Sequence, residues 1–258
     1  MIRHLLQLIW NQRKQNAWLW AELLLVSVFL WFLVDYLYVM GRTYTAPLGF
    51  DIRHTYSIVI SSLSERSPDY IPKEKRERPD GVHLLTALDR IRTYPGVESA
   101  CLTDGGMPYY MGSRNLVWRI DTLQVPCRYA FVTPEFFDVF RIYDKDGKTA
   151  SLKRAIEDNN SIVISADVET MNPGLSLLGQ KAYRGNVTDE IEETIRGISV
   201  PIRRHEYTKA EPNVYRALRL SRMEEGYYEG MIDAVRLCVR VRPDVDNADF
   251  PARFRKDM

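Results

Sequence analysis

The sequence predicts an α+β fold in which one N-terminal transmembrane helix precedes a mixed α/β domain with two lobes. Three observations support this fold class: one long apolar block near the N-terminus, several β-branched segments after it, and helical signals between those segments. The 258 residues are 45% hydrophobic and 27% charged, with a mean hydropathy of -0.28. This composition excludes both a disordered chain and a protein embedded entirely in a membrane.

The apolar block covers residues 17–40, and its only polar or charged residues are Glu22, Ser27 and Asp35. At about 1.5 Å per residue, a helix of this length spans a hydrocarbon core of about 30 Å. Charges inside a span are costly and often face a protein partner. Asp35 lies near one end, where snorkelling to the interface is the simpler explanation, whereas both explanations stay open for Glu22.

The flanking charges predict the orientation of this helix. Arg3, Arg13 and Lys14 precede it without any acidic residue. The positive-inside rule therefore places residues 1–16 in the cytoplasm as a short stub and residues 41–258 outside. A cleaved signal peptide is the alternative, but its apolar region is normally about 7–15 residues long and ends at an A-x-A-like site. Residues 43–47 (TYTAP) match that site poorly.

The charge balance excludes a nucleic-acid-binding protein. The chain has 35 Lys and Arg against 34 Asp and Glu, and three basic and two acidic residues lie in residues 1–40, which leaves 32 of each sign after them. The densest charged cluster, residues 73–78 (KEKRER), is interrupted by two glutamates. Nucleic-acid binding requires clustered Lys and Arg that release counterions from phosphates.

The first part of the external domain contains two predicted strands and one helix. Residues 57–63 are rich in β-branched side chains and predict a strand, and the proline-framed residues 65–80 predict a loop. Asp80 is a candidate N-cap for a helix over 81–93. Residues 97–103 predict the next strand.

The second part predicts further strands and one short helix. Thr133 has the side chain of an N-cap, Pro134 suits the first helical position, and Phe136, Phe137 and Phe140 follow at a spacing that predicts packing into the core. The predicted strands are 116–121, 125–132, 161–165, 193–202 and 234–242.

The last predicted strand alternates in polarity. Val235, Leu237, Val239 and Val241 fall on one face, which we expect to be buried. We expect the other face to be wet and basic. That face carries Arg236, Cys238, Arg240 and Arg242.

The sequence has no motif that predicts catalysis, cofactor binding or a metal site. Residues 147–149 (GKT) end like a phosphate-binding loop, but Ile142 stands where that loop needs glycine. His205 and Glu206 begin a zinc-protease motif that lacks its second histidine, and residues 144–147 and 244–246 are only fragments of calcium loops, better explained as solvated turns. A G-x-S-x-G elbow is also missing. We therefore predict no catalytic, cofactor-binding or metal-binding residues.

Cysteines and glycosylation patterns leave two points open. There are two alternatives for the three cysteines, Cys101, Cys127 and Cys238. Either all three are buried thiols, or two of them form a disulfide in an oxidising compartment and the third stays free. Residues 159–161 and 186–188 fit the N-glycosylation pattern, which has no weight if the source is bacterial.

The order of several segments resembles the periplasmic core of MacB-type and FtsX-like ABC transporter permeases. The most specific segment is 129–140 (YAFVTPEFFDVF). The other segments are individually weak, and they support the resemblance mainly by their order along the chain. They follow a basic stub and a single span, and they are 94–99 (YPGVES), 162–165 (IVIS), 178–181 (LGQK), 195–198 (IRGI) and 239–243 (VRVRP). Residues 141–160 follow the family pattern only loosely.

The resemblance implies a non-enzymatic permease subunit in the inner (plasma) membrane, with its bulk in the periplasm. It implies three partners: an ATP-binding ABC subunit that hydrolyses ATP, a second permease in a homo- or heterodimer, and a periplasmic adaptor protein, besides membrane lipid. The implied activity is efflux, including antimicrobial peptide transport, or mechanotransmission across the envelope. Family members continue into three further spans, and this sequence ends at Met258 before any of them. We therefore expect a truncated permease or one product of a split gene.

The resemblance also implies the domain boundaries: a cytoplasmic stub over 1–16, a transmembrane helix over 17–40 and a periplasmic core over 41–258, with a second subdomain at roughly 133–230. The main alternative is a single-pass sensor or adaptor whose external domain binds a ligand or a protein. A stub of sixteen residues is too short to form a signalling domain, which weakens that alternative. An anchored hydrolase is a third hypothesis, and the missing motifs count against it.

Overall fold

The structure is a computed structural model that describes residues 3, 7, 10, 14, 17–61, 63–72, 75–110, 112, 114–185, 190–226 and 232–258. The chain divides into two compact units, Met1–Pro47 and Leu48–Met258. Arg13, most of the predicted stub, Lys73 of the charged cluster and the glycosylation pattern at 186–188 lie outside the described residues.

The first unit contains the predicted apolar helix, α1, which runs over Ala17–Thr45. Its mean hydropathy is 2.2 and none of its residues is buried, so it is long and apolar enough to cross a membrane. The helix extends five residues beyond the predicted end at residue 40 because the sequence contains no helix breaker before Pro47. The Thr45 hydroxyl donates to the Gly41 carbonyl in its last turn, at 3.0 Å.

The second unit is built on nine strands with short helices on their faces. The strands are β1 Thr55–Ile58, β2 Val97–Asp104, β3 Asn115–Ile120, β4 Leu123–Val132, β5 Ser161–Ser165, β6 Lys181–Arg184, β7 Ile191–Ser199, β8 Asn213–Ala217 and β9 Val235–Val241. The α-helices are α2 Asp80–Arg92, α3 Phe136–Val139, α4 Ala150–Glu157, α5 Asp167–Met171, α6 Leu220–Glu224 and α7 Phe250–Asp257, and a 3-10 turn covers Ile232–Ala234.

Six of the strands close into a ring. The sheet order is β1-β9-β2-β4-β3-β6-β7-β5-β8, and β8 also pairs with β4 in parallel, from Asn213 opposite Arg128 to Ala217 opposite Val132. This last pairing connects β8, the last strand in the sheet order, to β4 in the middle of that order. Strands β4, β3, β6, β7, β5 and β8 therefore form a closed ring, and β2, β9 and β1 extend from it beside β4.

The interior of the ring is filled by apolar side chains. Because side chains alternate across a strand, every second residue of each ring strand points inward. The inward residues form one buried cluster, and a ring of six strands is too narrow to leave a channel between them. Its members are Trp118, Ile120, Val125, Cys127, Ile162, Ile164, Val168, Leu177, Ala182, Ile195, Ile198 and Val214.

Two further clusters cover the faces of the extension and the outside of the ring. Helices α2, α6 and α7 bury one cluster, which includes Leu102 and Leu237. Helices α3 and α4 bury the other, which includes Cys101 and Cys238 on the opposite face of the same strands. Strands β2 and β9 are therefore covered on both faces.

The structure confirms the predicted α+β class and the strand prediction over 161–165. The predicted strand over 57–63 is wrong in its bounds, because pairing with β9 begins at Thr55 and ends where Ile58 meets Leu237. The strand predicted over 193–202 is shifted and runs over Ile191–Ser199. The predicted second subdomain, roughly 133–230, stays a prediction.

Both predicted helix caps are wrong. Asp80 is the first helical residue, and its carboxylate accepts from Arg76 Nη1 at 2.7 Å while Pro79 stands at the cap position. The Thr133 hydroxyl accepts the N–H of Leu102 at 3.1 Å, and helix α3 starts at Phe136. Asp80 thus pairs with a residue four positions earlier, and Thr133 makes a tertiary contact that the local sequence did not indicate. The prediction that Phe136, Phe137 and Phe140 pack into the core is confirmed, since all three are at most 2% exposed.

The predicted wet, basic face of β9 is also wrong, because Arg240 is completely buried there. Helix α3 covers this face, and the guanidinium donates to three backbone carbonyls: Val139 (2.6 Å), Arg53 (2.8 Å) and Asp51 (2.5 Å). Burial lowers the pKa of Arg240, as does the nearby Arg141, while Asp51 opposes them. Of the four residues on this face, Cys238 is also buried, Arg236 is half-buried, and only Arg242 is exposed.

Replacing Arg240 tests this buried contact. We expect Arg240→Met to lower the free energy of unfolding by about 3 kcal/mol, because three carbonyls lose their donor inside the protein. That loss corresponds to a fall of about 6–12 °C in the melting temperature of the full chain, measured by circular dichroism in a neutral detergent. Arg242→Met, at an exposed position directly after the same strand, is the control, and equal melting temperatures for the two variants would contradict the assignment.

A second polar contact closes the outer edge of the sheet. His54 Nδ1 lies 2.6 Å from Asp246 Oδ2, and the Tyr56 hydroxyl donates to Asp246 Oδ1. The hydrogen bond to Asp246 raises the pKa of Tyr56 to about 12. The same hydrogen bond lowers the pKa of Asp246, and the contact with His54 adds to this effect. Asp246 is thereby stabilised as a carboxylate in the folded state.

The depressed pKa of Asp246 predicts acid sensitivity. In the folded state the Asp246 carboxyl stays ionised at pH values below its unfolded pKa of about 4. The stability that it contributes is therefore complete above that pKa and is lost as the pH falls through the folded pKa. We expect Asp246→Asn to lower the melting temperature at pH 7, and the difference from the native chain to shrink towards pH 3. Melting curves at a series of pH values check this, with the exposed Asp244→Asn as control; a difference that stays constant with pH would contradict it.

Candidate functional site: the arginine-lined mouth

One end of the strand ring opens into a cleft of about 440 Å³. We call it the arginine-lined mouth, and it is formed where β4, β6 and β8 end and where the chain enters β5. Alternation along the strands places Tyr129, Phe131, Arg184 and Arg216 on the inward side, above the apolar filling of the ring. The lining residues are Asp104, Arg114, Tyr129, Phe131, Asn159, Arg184, Arg216, Ala217, Arg219, Arg222 and Ala234.

Glu193 anchors two of these arginines from inside the ring. Its side chain is 2% exposed, and its Oε1 accepts a hydrogen bond from Arg216 Nε at 2.8 Å and lies 2.5 Å from Nη2 of the same guanidinium. Arg184 Nε lies 3.4 Å from the other carboxylate oxygen, an ion-pair contact without hydrogen-bond geometry. Burial lowers the pKa of Arg216, and the Glu193 charge opposes that shift. A charge-assisted hydrogen bond to one carboxylate oxygen thus holds Arg216.

The opposite wall of the mouth holds a second ion pair. Arg114 Nη1 lies 2.5 Å from Asp104 Oδ2, and the Asp104 side chain is 5% exposed. Burial raises the pKa of Asp104 above its ordinary value, and Arg114 opposes this effect. Arg114 itself stays 40% exposed, so its guanidinium faces both its partner and solvent.

Two aromatic rings complete the inner wall. Tyr129 and Phe131 meet edge to face with their centroids 5.9 Å apart. The Arg216 guanidinium lies over the Phe131 ring, 4.9 Å from its centroid. This cation–π contact adds to the Glu193 pair in fixing Arg216. The mouth therefore combines fixed positive groups with an apolar surface.

The sequence motifs predict no catalytic or ligand-binding residue in this mouth. The net charge does not reveal its arginines, because residues 41–258 contain 32 acidic residues, Asp104 and Glu193 among them, against 32 basic ones. The local signal was the spacing of Arg216, Arg219 and Arg222, which recur every third residue with no acidic residue between them. Asn159 of the possible glycosylation pattern also lies in this wall.

The motif fragments found in the sequence lie elsewhere and do not assemble. Asp144 accepts the backbone N–H groups of Asp146 and Lys148, at 2.9 and 2.8 Å, and so closes a turn. This turn is less solvated than expected, since Asp144 is only 9% exposed. Glu206 accepts the Tyr109 hydroxyl. Within the described part of the chain, no three His, Cys, Asp or Glu side chains lie together as a metal site would need.

The three cysteines are buried free thiols in the structure. Cys101 and Cys238 lie opposite each other on β2 and β9. Burial raises the pKa of Cys101, and the neighbouring Cys238 adds to the shift. Burial also raises the pKa of Cys127 to about 12. Such thiols are poor nucleophiles, because the thiolate is the reactive form.

Comparison with known proteins finds similar solved structures but no matching family model and no matching curated protein. A domain of a protein described as a permease from Porphyromonas gingivalis is 20% identical, covering 67% of this chain and 73% of that chain, with a TM-score of 0.47. The periplasmic region of MacB from Actinobacillus actinomycetemcomitans is 11% identical, covering 80% and 85%, with a TM-score of 0.45. The extracellular domain of the noncanonic ABC-type transporter YknZ from Gram-positive bacteria is 12% identical, covering 77% and 87%, with a TM-score of 0.45.

Two of these three structures are extracytoplasmic regions of transporters, and the third is a domain of a protein described as a permease.

Replacing Glu193 tests the anchoring of the mouth. We expect Glu193→Gln to destabilise the chain by about 3 kcal/mol or more, because two half-buried guanidiniums lose their buried counter-charge. We expect the double variant Glu193→Gln with Arg216→Gln to cost less than the sum of the two single variants. Melting temperatures of the four proteins measure this coupling. The exposed neighbour Glu192→Gln is the control, and additive losses would show that the pair is not coupled.

Proposed function

We propose that this chain is the membrane-anchored extracytoplasmic core of an ABC transporter permease of the MacB/FtsX type. In this proposal an ATP-binding partner hydrolyses ATP, and the permease couples that hydrolysis to export or to mechanotransmission across the envelope. The chain itself carries no catalytic activity. The observation that carries the proposal is the direct passage of the chain from the apolar helix Ala17–Thr45 into the α+β unit at Leu48.

The ordered segments behind the resemblance have structural roles that support this proposal. The segment 129–140 supplies the second half of β4 and helix α3, whose phenylalanines are fully packed. The segment 94–99 forms the turn between α2 and β2, where Gly96 has a φ of 94° and Val245 packs against its Cα. A side chain at Gly96 would clash with Val245, which accounts for glycine in this turn.

The partners follow from the same proposal. In this proposal an ATP-binding subunit lies on the cytoplasmic side, and the permease works with a second permease as a homo- or heterodimer. A periplasmic adaptor is a further partner. We place the N-terminus in the cytoplasm and the unit Leu48–Met258 in the periplasm, on the basis of Arg3, Arg13 and Lys14 before the span.

Association with an ATPase tests the proposal. We expect the full chain, purified from native membranes in a neutral detergent, to bring down an ABC-type ATP-binding subunit. A matched control replaces residues 17–45 by an unrelated apolar helix of equal length, which keeps the anchor and removes the native surface of the span. We expect the native chain to retain the ATPase and the control to lose it. If neither protein associates with an ATPase, the permease assignment is wrong.

The alternative is a single-pass sensor or adaptor with a ligand- or protein-binding external domain. The arginine-lined mouth favours this reading, because a cleft with converging polar groups is typical of ligand sites. The two functions differ in the purification experiment, since a sensor needs no ATP-binding subunit.

A further inference from the structure

The arginine-lined mouth holds more positive charge than its own carboxylates balance. Four of the arginines that line it, Arg114, Arg184, Arg216 and Arg219, face two carboxylates. Glu193 pairs with Arg216 and Arg184, and Asp104 pairs with Arg114. Arg219 is half-buried, and its guanidinium makes no hydrogen bond or ion pair with any described residue. Gathering like charges in one concavity is unfavourable unless an anion joins them.

The arginines are held ready for such an anion. Arg216 is held by its hydrogen bond to Glu193 Oε1 and by the face of Phe131, and Arg114 is held by Asp104. An anion that enters the mouth therefore meets guanidiniums that have already lost much of their freedom, which reduces the entropic cost of binding. The mouth lies on the rim of a packed strand ring, so its walls are rigid.

The shape and lining restrict the chemistry of the ligand. A cleft of about 440 Å³ falls in the range of small-molecule sites, about 300–1,000 Å³. Guanidinium forks match phosphate oxygens in pairs, and a phosphate monoester carries about 1.5–2 negative charges at pH 7. A phosphate monoester thus neutralises more of the excess positive charge than a single carboxylate does. Tyr129 and Phe131 offer an apolar surface to whatever the phosphate is attached to.

We propose that the arginine-lined mouth is a binding site for a phosphate group, with the organic part of the ligand against Tyr129 and Phe131. The group comes from a soluble phosphorylated compound, as a monoester, or from a phospholipid headgroup, as a diester with a single negative charge; in both, phosphate oxygens contact the arginines. Arg219 is the direct phosphate contact, and Glu193 positions Arg216 for it. This proposal is independent of the permease assignment, since it rests only on the mouth.

Calorimetric titration of the full chain in a neutral detergent tests the site. The soluble probes are inorganic phosphate, phenyl phosphate and benzoate, and the lipid probe is phosphatidylglycerol doped into micelles of the same detergent. We expect phenyl phosphate to bind more tightly than inorganic phosphate, because its ring packs on the aromatic wall, and more tightly than benzoate. We expect the affinity to fall as salt concentration rises.

Variants of the mouth locate the binding. We expect Arg219→Gln to weaken phenyl phosphate binding about tenfold or more, and Arg219→Lys to weaken it less. Arg222→Gln is a second variant of the same wall, in case the first one lowers the melting temperature. Arg66→Gln, at an exposed loop position, is the control and should bind like the native chain.

Each outcome decides the proposal. Binding of phenyl phosphate that Arg219→Gln weakens supports a soluble phosphorylated ligand, and binding confined to phosphatidylglycerol micelles with the same sensitivity supports a lipid headgroup. Benzoate binding as tightly as phenyl phosphate would overturn the preference for phosphate. No binding of any probe, or equal binding by Arg219→Gln, Arg222→Gln and Arg66→Gln, would overturn the site.

Discussion

The buried guanidinium of Arg240 is the contact on which the arrangement of the external unit depends. It sits on β9, in the middle of the three-strand extension, and donates to carbonyls of Asp51, Arg53 and Val139. These carbonyls belong to the chain before β1 and to the end of the phenylalanine helix α3. One cation thus joins the start of the unit, its last strand and the helix that covers that strand, because buried carbonyls require a donor.

The second constraint is the parallel pairing of β8 with β4, which turns an open sheet into a ring. Closure removes the free edges of six strands and allows their inward side chains to pack as one apolar filling. The polar residues of those strands are then confined to the ends of the ring. At one end they include Arg184, Arg216 and Glu193, so the mouth is a direct consequence of the closure.

Local sequence patterns predicted the apolar helix, most strands and the packing of the phenylalanines, because alternation and turn residues are local signals. They failed where a distant element decides the environment. Arg240 alternates like a solvent-facing residue, and only helix α3 makes its face an interior. Thr133 looks like a cap but binds the backbone of β2. The mouth could not be predicted because Arg114, which precedes β3, and Arg184 and Arg216, which lie on β6 and β8, meet only through the ring.

The order of the strands along the chain has a consequence for biosynthesis. Strand β1 is made first, yet its only partner among the described strands is β9, which follows almost 180 residues later. The ring likewise waits for β8, whose parallel pairing with β4 spans a long loop, and closing such loops is slow. The unit Leu48–Met258 therefore exposes apolar strands until nearly all of it has been translated. This period of exposure is when a chaperone would engage it.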